Sequence, residues 1–326
     1  MSETDDKPET PRTLVFLASF NGERFIEKQL TSIVRQTVVC DLIVSDDGSV
    51  DQTRDIVESF IQSSPSVRLI NGAQKGFVQN FLSVFEGERL SAYDYLAWCD
   101  QDDIWSNDHL ERGIKVLGKL HGPALYGSRT RLIDSQDKII GYSPVWKRPM
   151  TFQNALVQSV FGGNTMLFNK KAIGWIQMCQ KQLGAVRFEW ISHDWAAYTL
   201  ISMAGHSIFY DTESTVNYRQ HNSNLIGQNV SFSARLSRAR RLYDGRYGSW
   251  ICQHLGLLEK LRAEMTSSAA ETVDLFSSSI EQGGLCGLRS LRRSRVYRQG
   301  ILEGLALKAS IFGGWLKKSR RKFPGM

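Results

Sequence analysis

Nowhere does the chain offer the ~20 consecutive apolar residues that a membrane-crossing helix requires. The most hydrophobic late segment, GILEGLALKASIFGGWL, is broken by Glu303 and Lys308, so it is expected to lie on a membrane and not to cross one. Cysteine is sparse and scattered. Cys40, Cys99, Cys179, Cys252 and Cys286 are odd in number and form no CxxC pair, which argues against a disulfide framework or a zinc ribbon and suits a reducing cytoplasm. The first residues, MSETDDKPETPR, are polar and acidic, the opposite of a secretory signal, so a cytoplasmic location is expected. Two phosphate-binding loops are also missing. Neither GxGxxG nor GxxxxGK[ST] occurs, which disfavours a dinucleotide dehydrogenase and a P-loop kinase.

What is present is ordinary globular material: 326 residues, 42% apolar and 22% charged, which supports a sizeable core and rules out wholesale disorder. The unusual total is a net charge of +7. From Leu285 to Met326, eleven Lys and Arg face one acid, Glu303, so this tail carries +10 and the rest of the chain sums to −3. A mildly acidic body bears a strongly basic tail.

Short apolar runs alternate with amphipathic stretches through the first hundred residues. Strands are expected at 13–18, 41–45, 67–71 and 94–100, with helices at 23–36, from Ser49 to about Ile61, at 76–88 and from about Asn107 to Leu120. Ser49 and Gln52 have the spacing of a capping box for the second helix. Such alternation means βαβ units and an α/β fold with a largely parallel sheet covered on both faces. Further on, 124–134 and 138–143 read as a hairpin, 163–169 and 206–211 as strands, and 170–183 and 194–204 as helices. From about Ser231 the strands stop and Arg-rich helical segments follow, with no internal repeat. The expected organisation is a disordered lead over 1–11, an α/β domain over 12–230, and a helical, basic extension over 231–326.

Ligands of an open parallel sheet bind beyond the carboxyl ends of its strands. Strand one ends in Ser19-Phe20-Asn21-Gly22-Glu23, strand two in Asp46-Asp47-Gly48-Ser49 and strand four in Asp100-Gln101-Asp102-Asp103. Asp46-Asp47-Gly48-Ser49 alone reads as a turn with a helix cap. Three acids in four residues directly after an apolar strand are costly unless compensated, and oxygen ligands there suit Mg²⁺ or Mn²⁺ with a phosphorylated substrate.

LASFNGERFIEKQLTSIVRQT, LIVSDDGSVDQT, GFVQNF and YLAWCDQDDIW resemble the successive motifs of the family 2 glycosyltransferases, and FGGNTMLFN, Ser192-His193-Asp194-Trp195 and Tyr218-Arg219-Gln220-His221-Asn222 continue the pattern in order. The resemblance is to the bacterial rhamnosyltransferase-like branch, which builds cell-surface polysaccharides, and it spans about residues 12 to 228. It implies a GT-A fold and inverting transfer of a sugar from a nucleotide-diphosphate donor. Phe20, Asn21 and Glu23 would line the base pocket, with Asp46 accepting from the pyrimidine N3–H and Asp47 nearby. Asp100-Gln101-Asp102 matches the family's DxD, with Asp102 on the divalent cation (Mg²⁺ or Mn²⁺) and Asp100 towards the ribose. His221 fits a later metal or diphosphate contact, although a histidine in a polar loop is also a common structural feature. Lys75 and Asn80 lie near the donor by position. Asp194 matches the acidic catalytic position and would be the general base; without the resemblance it reads more readily as a helix N-cap. Two departures stand out: Phe20 where members often carry tyrosine, and Ala196 where a second bulky residue is frequent.

The donor would be TDP-rhamnose or a UDP-sugar and the acceptor a lipid-linked saccharide. The basic tail reads as a nucleic-acid arm, a solvated helical face, or an attachment to anionic lipid. Leu302, Leu305, Leu307, Ile311, Phe312, Trp315 and Leu316 among its charges favour lipid over nucleic acid. Two other readings stay open: a sugar nucleotidyltransferase, which usually carries a glycine-rich loop absent here, and a non-catalytic nucleotide- or polyanion-binding module.

Overall fold

A computed structural model describes residues 11–86, 88–221 and 246–317. Asn222, the basic run Arg235, Arg238, Arg240 and Arg241, and the closing Lys318, Arg320, Arg321 and Lys322 lie outside the described residues, as does most of the expected disordered lead.

The first strand is almost wholly apolar because both of its faces are covered. In β1 (Thr13–Ser19), Leu14 and Phe16 enter one core cluster while Val15 and Leu17 enter the other, the period-2 alternation of a strand between two helical layers. After β1 come α1 (Ile26–Val34), β2 (Cys40–Asp46), α2 (Thr53–Ser63), β3 (Val67–Asn71), α3 (Phe77–Ser83), β4 (Tyr95–Asp100), the short β5 (Ile104–Trp105) and α4 (His109–Leu117). The chain continues through β6 (Ala124–Ile133), β7 (Ile139–Tyr142), the one-turn α5 (Phe152–Ala155), β8 (Leu167–Asn169), α6 (Lys170–Leu183), α7 (His193–Met203) and the long β9 (Ser207–Arg219). It closes with α8 (Arg246–Lys260), α9 (Ser267–Gln282), α10 (Gly284–Ser294) and α11 (Ile301–Phe312).

The sheet runs β3-β2-β1-β4-β8-β6-β9-β5, with β7 on β6. Its first half, β3 to β4, is parallel, as the βαβ pattern predicts. The second half is mixed: β8 lies antiparallel to β4 and β6, β6 and β9 are parallel, and β5 and β7 are antiparallel to their neighbours. The order turns back at β1, which has β2 on one side and β4 on the other. Register pairs Ser19 with Asp46 and Ala18 with Asp100, so three strand ends finish level around one crevice.

Two expectations change. The capping box on α2 does not form: the helix starts at Thr53, and the Ser49 hydroxyl donates instead to buried Asp46, 2.5 Å away. The late apolar residues do not form one lipid-facing stripe either. Leu307, Ile311 and Leu316 are buried in the same core cluster as the sheet and α7, while Leu302 (75% exposed), Leu305 and Phe312 face outward with Ile301. The α8–α11 segment is thus packed on the body, through Tyr247, Ile251, Leu255, Val273 and Phe276 among others.

The core also holds neutral histidines. His254 is buried between Trp190 and Trp195, with Nε2 3.0 Å from the Thr199 hydroxyl, and burial pushes its pKa down to about 3. An unfolded histidine protonates near 6.5, so the unfolded chain takes up this proton first as pH falls. Its contribution is whole above pH ~6.5 and is lost on descent towards the folded value. In urea titrations between about pH 6 and 4.5, His254→Gln should show a stability loss shallower than the wild type by about 1.4 kcal/mol per pH unit. Parallel slopes would refute the assignment.

Candidate active site

Sequence places three acidic groups at the level strand ends, and the structure divides their carboxylates into two kinds. The first kind is consumed by the protein. Asp46 is 1% exposed and accepts from the Ser49 amide (3.1 Å) and hydroxyl, from Ser19 Oγ (3.3 Å) and from Arg54 Nη1 (3.1 Å). Burial opposes its charge, but these donors outweigh it and hold the carboxyl below its usual range. Asp47 accepts from the amides of Gln74 (2.6 Å) and Gly76 (2.8 Å) and so holds the loop that carries exposed Lys75. Asp103 is fully buried, accepting from the Arg219 amide at 3.1 Å and from Asn164 Nδ2. Burial, with Asp102 and Asp100 beside it, pushes its carboxyl well above the normal carboxylate range.

The second kind has fewer protein donors among the described residues. Asp102 meets His221 Nε2 at 2.7 Å, joining two residues 119 positions apart. The His221 ring also lies against Phe25, 5.2 Å between centroids. Burial pushes the Asp100 carboxyl up to about 8, with the charges of Asp102 and Asp194 adding to the effect. Asp194 is 8% exposed in the first turn of α7, where the helix dipole favours a negative charge. It is not the N-cap, a position held by Ser192. Ser159 Oγ donates to Asp194 Oδ2 at 2.9 Å, and Oδ1, though buried, has no hydrogen-bond partner among the described residues.

Asp194 is set in place mainly by packing. His193 stacks on Phe81 at 3.9 Å and meets Trp98 of β4 edge-on at 5.0 Å. Burial, opposed by Asp194, lowers its pKa to about 4, so the ring is neutral. Gly163 makes room for it, since a Cβ there would lie 2.0 Å from His193 Nε2. The FGGN motif therefore shapes this wall through Gly163 and Asn164.

The remaining expected residues are placed as follows. Phe20 exposes its ring at the end of β1 (55%). Asn21, at φ 49°, accepts from the Val50 amide (3.0 Å) and donates its own amide to Ser49 Oγ (2.9 Å); Glu23 accepts from the Gln52 amide (2.9 Å). These two side chains tie the β1–α1 loop to the β2–α2 loop. Asn80 is 1% exposed with both ends of its amide bonded to Ser45, donating to the carbonyl at 2.9 Å and accepting from the hydroxyl at 2.5 Å. Sequence reasoning assigned no role to Ser159, Arg219 or the Gln101 side chain. Arg219 is completely buried, with Nε donating to the Asp102 carbonyl (2.8 Å), Nη1 to the Asp134 carbonyl (3.0 Å) and to Asp137, and its guanidinium 4.5 Å over the Phe25 ring. An arginine inside an otherwise polar motif after a long strand was the available signal.

Among the described residues no three His, Cys, Asp or Glu side chains converge as a complete metal-ligand set. Asp102 and His221 nonetheless offer oxygen and nitrogen donors where Asp100, Asp102 and Asp194 crowd like charge together. Such a partial set suits a Mg²⁺ or Mn²⁺ ion that takes its other ligands from phosphates and water.

A sheet of this order, with acidic residues at its turning point, has the GT-A glycosyltransferase fold. The chain belongs to Glycosyl transferase family 2, whose sequence model matches residues 14–175. It is 31% identical over 235 residues to the dTDP-rhamnosyl transferase RfbG of Shigella flexneri, covering 68% of this chain and 77% of that protein. It is 32% identical over 120 residues to the UDP-Glc:alpha-D-GlcNAc-diphosphoundecaprenol beta-1,3-glucosyltransferase WfgD of Escherichia coli, covering 35% of this chain and 44% of that one. The solved structure of S. aureus TarS 1-349 shares the fold, with a TM-score of 0.53 at 12% identity over 97% of this chain and 92% of that chain. The protein is accordingly a glycosyltransferase that uses a nucleotide-activated sugar. Neither the nucleotidyltransferase nor the non-catalytic reading gains support from these relationships.

Arg219 supplies the prediction here. Its removal leaves the acidic turn without its buried cation, and losing one partner of a buried charge cluster costs about 3–5 kcal/mol. Arg219→Met should lower the denaturation free energy by that order in urea titration; a loss below about 1 kcal/mol would show that the cluster does not depend on the guanidinium.

Proposed function

We propose that the protein is an inverting transferase of the rhamnosyl kind, moving a 6-deoxyhexose from a thymidine diphosphate donor to a lipid-linked saccharide during surface-polysaccharide assembly. The observation that carries the mechanism is the Asp194 carboxylate: one oxygen held by Ser159, the other buried and without a partner among the described residues. A free carboxylate oxygen in a packed wall is a poised general base. The acceptor hydroxyl gives its proton to Asp194 Oδ1 as its oxygen attacks the anomeric carbon. The bond from that carbon to the diphosphate breaks in the same displacement, and one displacement inverts the centre. Phe20 offers a face for the nucleobase, while Asn21 and Glu23 hold the surrounding loops. Asp46 and Asp47 shape the pocket through the donors they bind, and exposed Lys75 sits on the loop that Asp47 fixes, available to the diphosphate. Asp102 and His221 would hold Mg²⁺ or Mn²⁺, which when bound supplies Lewis-acid stabilisation of the leaving diphosphate.

The dTDP-rhamnosyl transferase of Shigella flexneri supports the donor sugar, and the diphosphoundecaprenol-linked acceptor of the Escherichia coli glucosyltransferase supports the lipid-linked acceptor. No helix among the described residues is long and apolar enough to cross a membrane. Ile301 (84% exposed), Leu302, Leu305 and Phe312 of α11 instead present an apolar face beside exposed Lys308, and Arg289, Arg292 and Arg293 are exposed on α10. This apolar and cationic surface suits an anionic bilayer, where each basic residue contributes roughly 1 kcal/mol.

Turnover of dTDP-rhamnose, UDP-glucose and GDP-mannose with Mn²⁺ or Mg²⁺, with and without chelator, tests the donor and the metal; no turnover with any of them overturns the reading. Asp194→Asn should lower kcat at least ~10²-fold, the scale of a general base, and normal turnover would remove it from that role. NMR of the product anomeric proton reads the inversion. Because α10 and α11 are part of the core, the membrane surface is tested by Ile301→Glu with Phe312→Glu and not by truncation. The double variant should lose binding to phosphatidylglycerol vesicles, and retained binding would refute the surface.

A further inference from the structure

The side chain between the two DxD acids does not point into solvent. Gln101 Oε1 accepts from the Phe20 amide at 2.8 Å, and Gln101 Nε2 donates to the Phe20 carbonyl at 2.9 Å. Its amide thus pairs with the backbone of Phe20 as a neighbouring strand would, from the far side of the crevice. Gly22 gives it the space. A Cβ at Gly22 would lie 2.1 Å from Gln101 Oε1 and 2.5 Å from Cδ. Gly22 is not among the residues with positive φ, so close approach and not backbone conformation accounts for the glycine.

We propose that Gln101 is a positioning residue for the nucleotide donor, its amide fixing the nucleobase wall of Phe20 and Asn21 at a set distance from the diphosphate end of Asp100 and Asp102. The proposal rests on reading the β1–α1 loop as that wall. Ser19 and Ala18 are already held level with Asp46 and Asp100 by sheet register. Beyond Ser19 the ladder ends, and the two Gln101 bonds continue it for one more residue, the residue whose ring would meet the base. A donor nucleotide touches both ends at once, so its affinity depends on their separation. The chemical step, at Asp194, does not touch the bridge.

The test is a double-mutant cycle on Gly22→Ala and Gln101→Ala, read by calorimetric Kd for dTDP, UDP and GDP and by donor KM and kcat. Gln101→Ala should raise the nucleotide Kd and donor KM about tenfold while kcat stays within about threefold. Gly22→Ala should act in the same direction, since its methyl displaces the amide, yet add nothing in the Gln101→Ala background, where the methyl has room. Gln101→Met keeps the length and loses both bonds, and it should behave like Gln101→Ala. Unchanged affinity in Gln101→Ala or Gln101→Met, equal losses in kcat and KM, or independent effects that multiply in the double variant would each overturn the proposal. A wild type that binds none of the three nucleotides would instead overturn the donor-pocket reading beneath it.

Discussion

The acidic crevice exists because a guanidinium lies beneath it. Arg219, at the end of β9, is removed from water entirely, and such a charge persists in a low-dielectric interior only with its hydrogen bonds and countercharge supplied. The fold supplies them from three directions: the Asp102 carbonyl, the Asp134 carbonyl and the Asp137 carboxylate, with the Phe25 ring packed on the flat face. Asp137 is itself paired with Lys28 of α1 at 2.5 Å, so the β6–β7 hairpin, the first helix and the β4–β5 turn are joined through one side chain. The Arg219 amide adds the bond to Asp103, which fixes the turn from the other side. His221 follows two residues later, and the same anchoring brings it onto Asp102. The expected metal-binding pair is therefore a consequence of where a buried cation has been placed.

That anchoring divides labour among carboxylates that look alike in sequence. Asp46, Asp47 and Asp103 are surrounded by protein donors and organise loops. Among the described residues Asp100, Asp102 and Asp194 have fewer such donors, and burial, with the charges of Asp102 and Asp194 adding to it, raises the pKa of Asp100. An uncompensated acidic cluster is unfavourable in the free protein, but it gives a cation or a hydroxyl proton a strong reason to bind there. Adjacent residues differ in environment: Asp102 is partly exposed beside His221, while Asp103 is fully buried.

Much of the frame was legible in the sequence for a physical reason. Strands buried on both faces are unbroken apolar runs, and β1, β2 and β4 could be located, with the crevice at their ends, before any coordinates. The second half of the sheet was less legible because β8 is only three residues long and its antiparallel pairing depends on partners distant in sequence. One local signal lost to another: Ser49 has the spacing of a helix cap but donates to Asp46, three residues before it. Asn80 stood near the donor by position, yet its amide is committed to Ser45 on β2. The apolar residues of α11 looked like one face because composition does not say which side a helix turns to its own core. Ser159, 35 residues from Asp194, had no signal at all.

As the base of the proposed mechanism, Asp194 takes a single side-chain hydrogen bond among the described residues. A base held by many donors is a poor base, since each donor stabilises the ionised form and weakens its claim on a proton. Here orientation is supplied by apolar contact instead. His193, the residue before it, is wedged against Phe81 and Trp98 with Gly163 opening the space, and Trp195, the residue after it, donates its indole N–H to the Ala155 carbonyl at 2.6 Å. Flanked by two locked aromatic neighbours, the carboxylate needs one bond, from Ser159, to choose its rotamer. The contact of His193 with Trp98 has a further effect. Trp98 lies on β4 two residues before Asp100, so the strand that ends in Asp100 also packs against the residue preceding Asp194, the base of the proposed mechanism. In the proposed displacement, attack geometry depends on the distance between those two groups, and one strand and one edge-on aromatic contact bear on both.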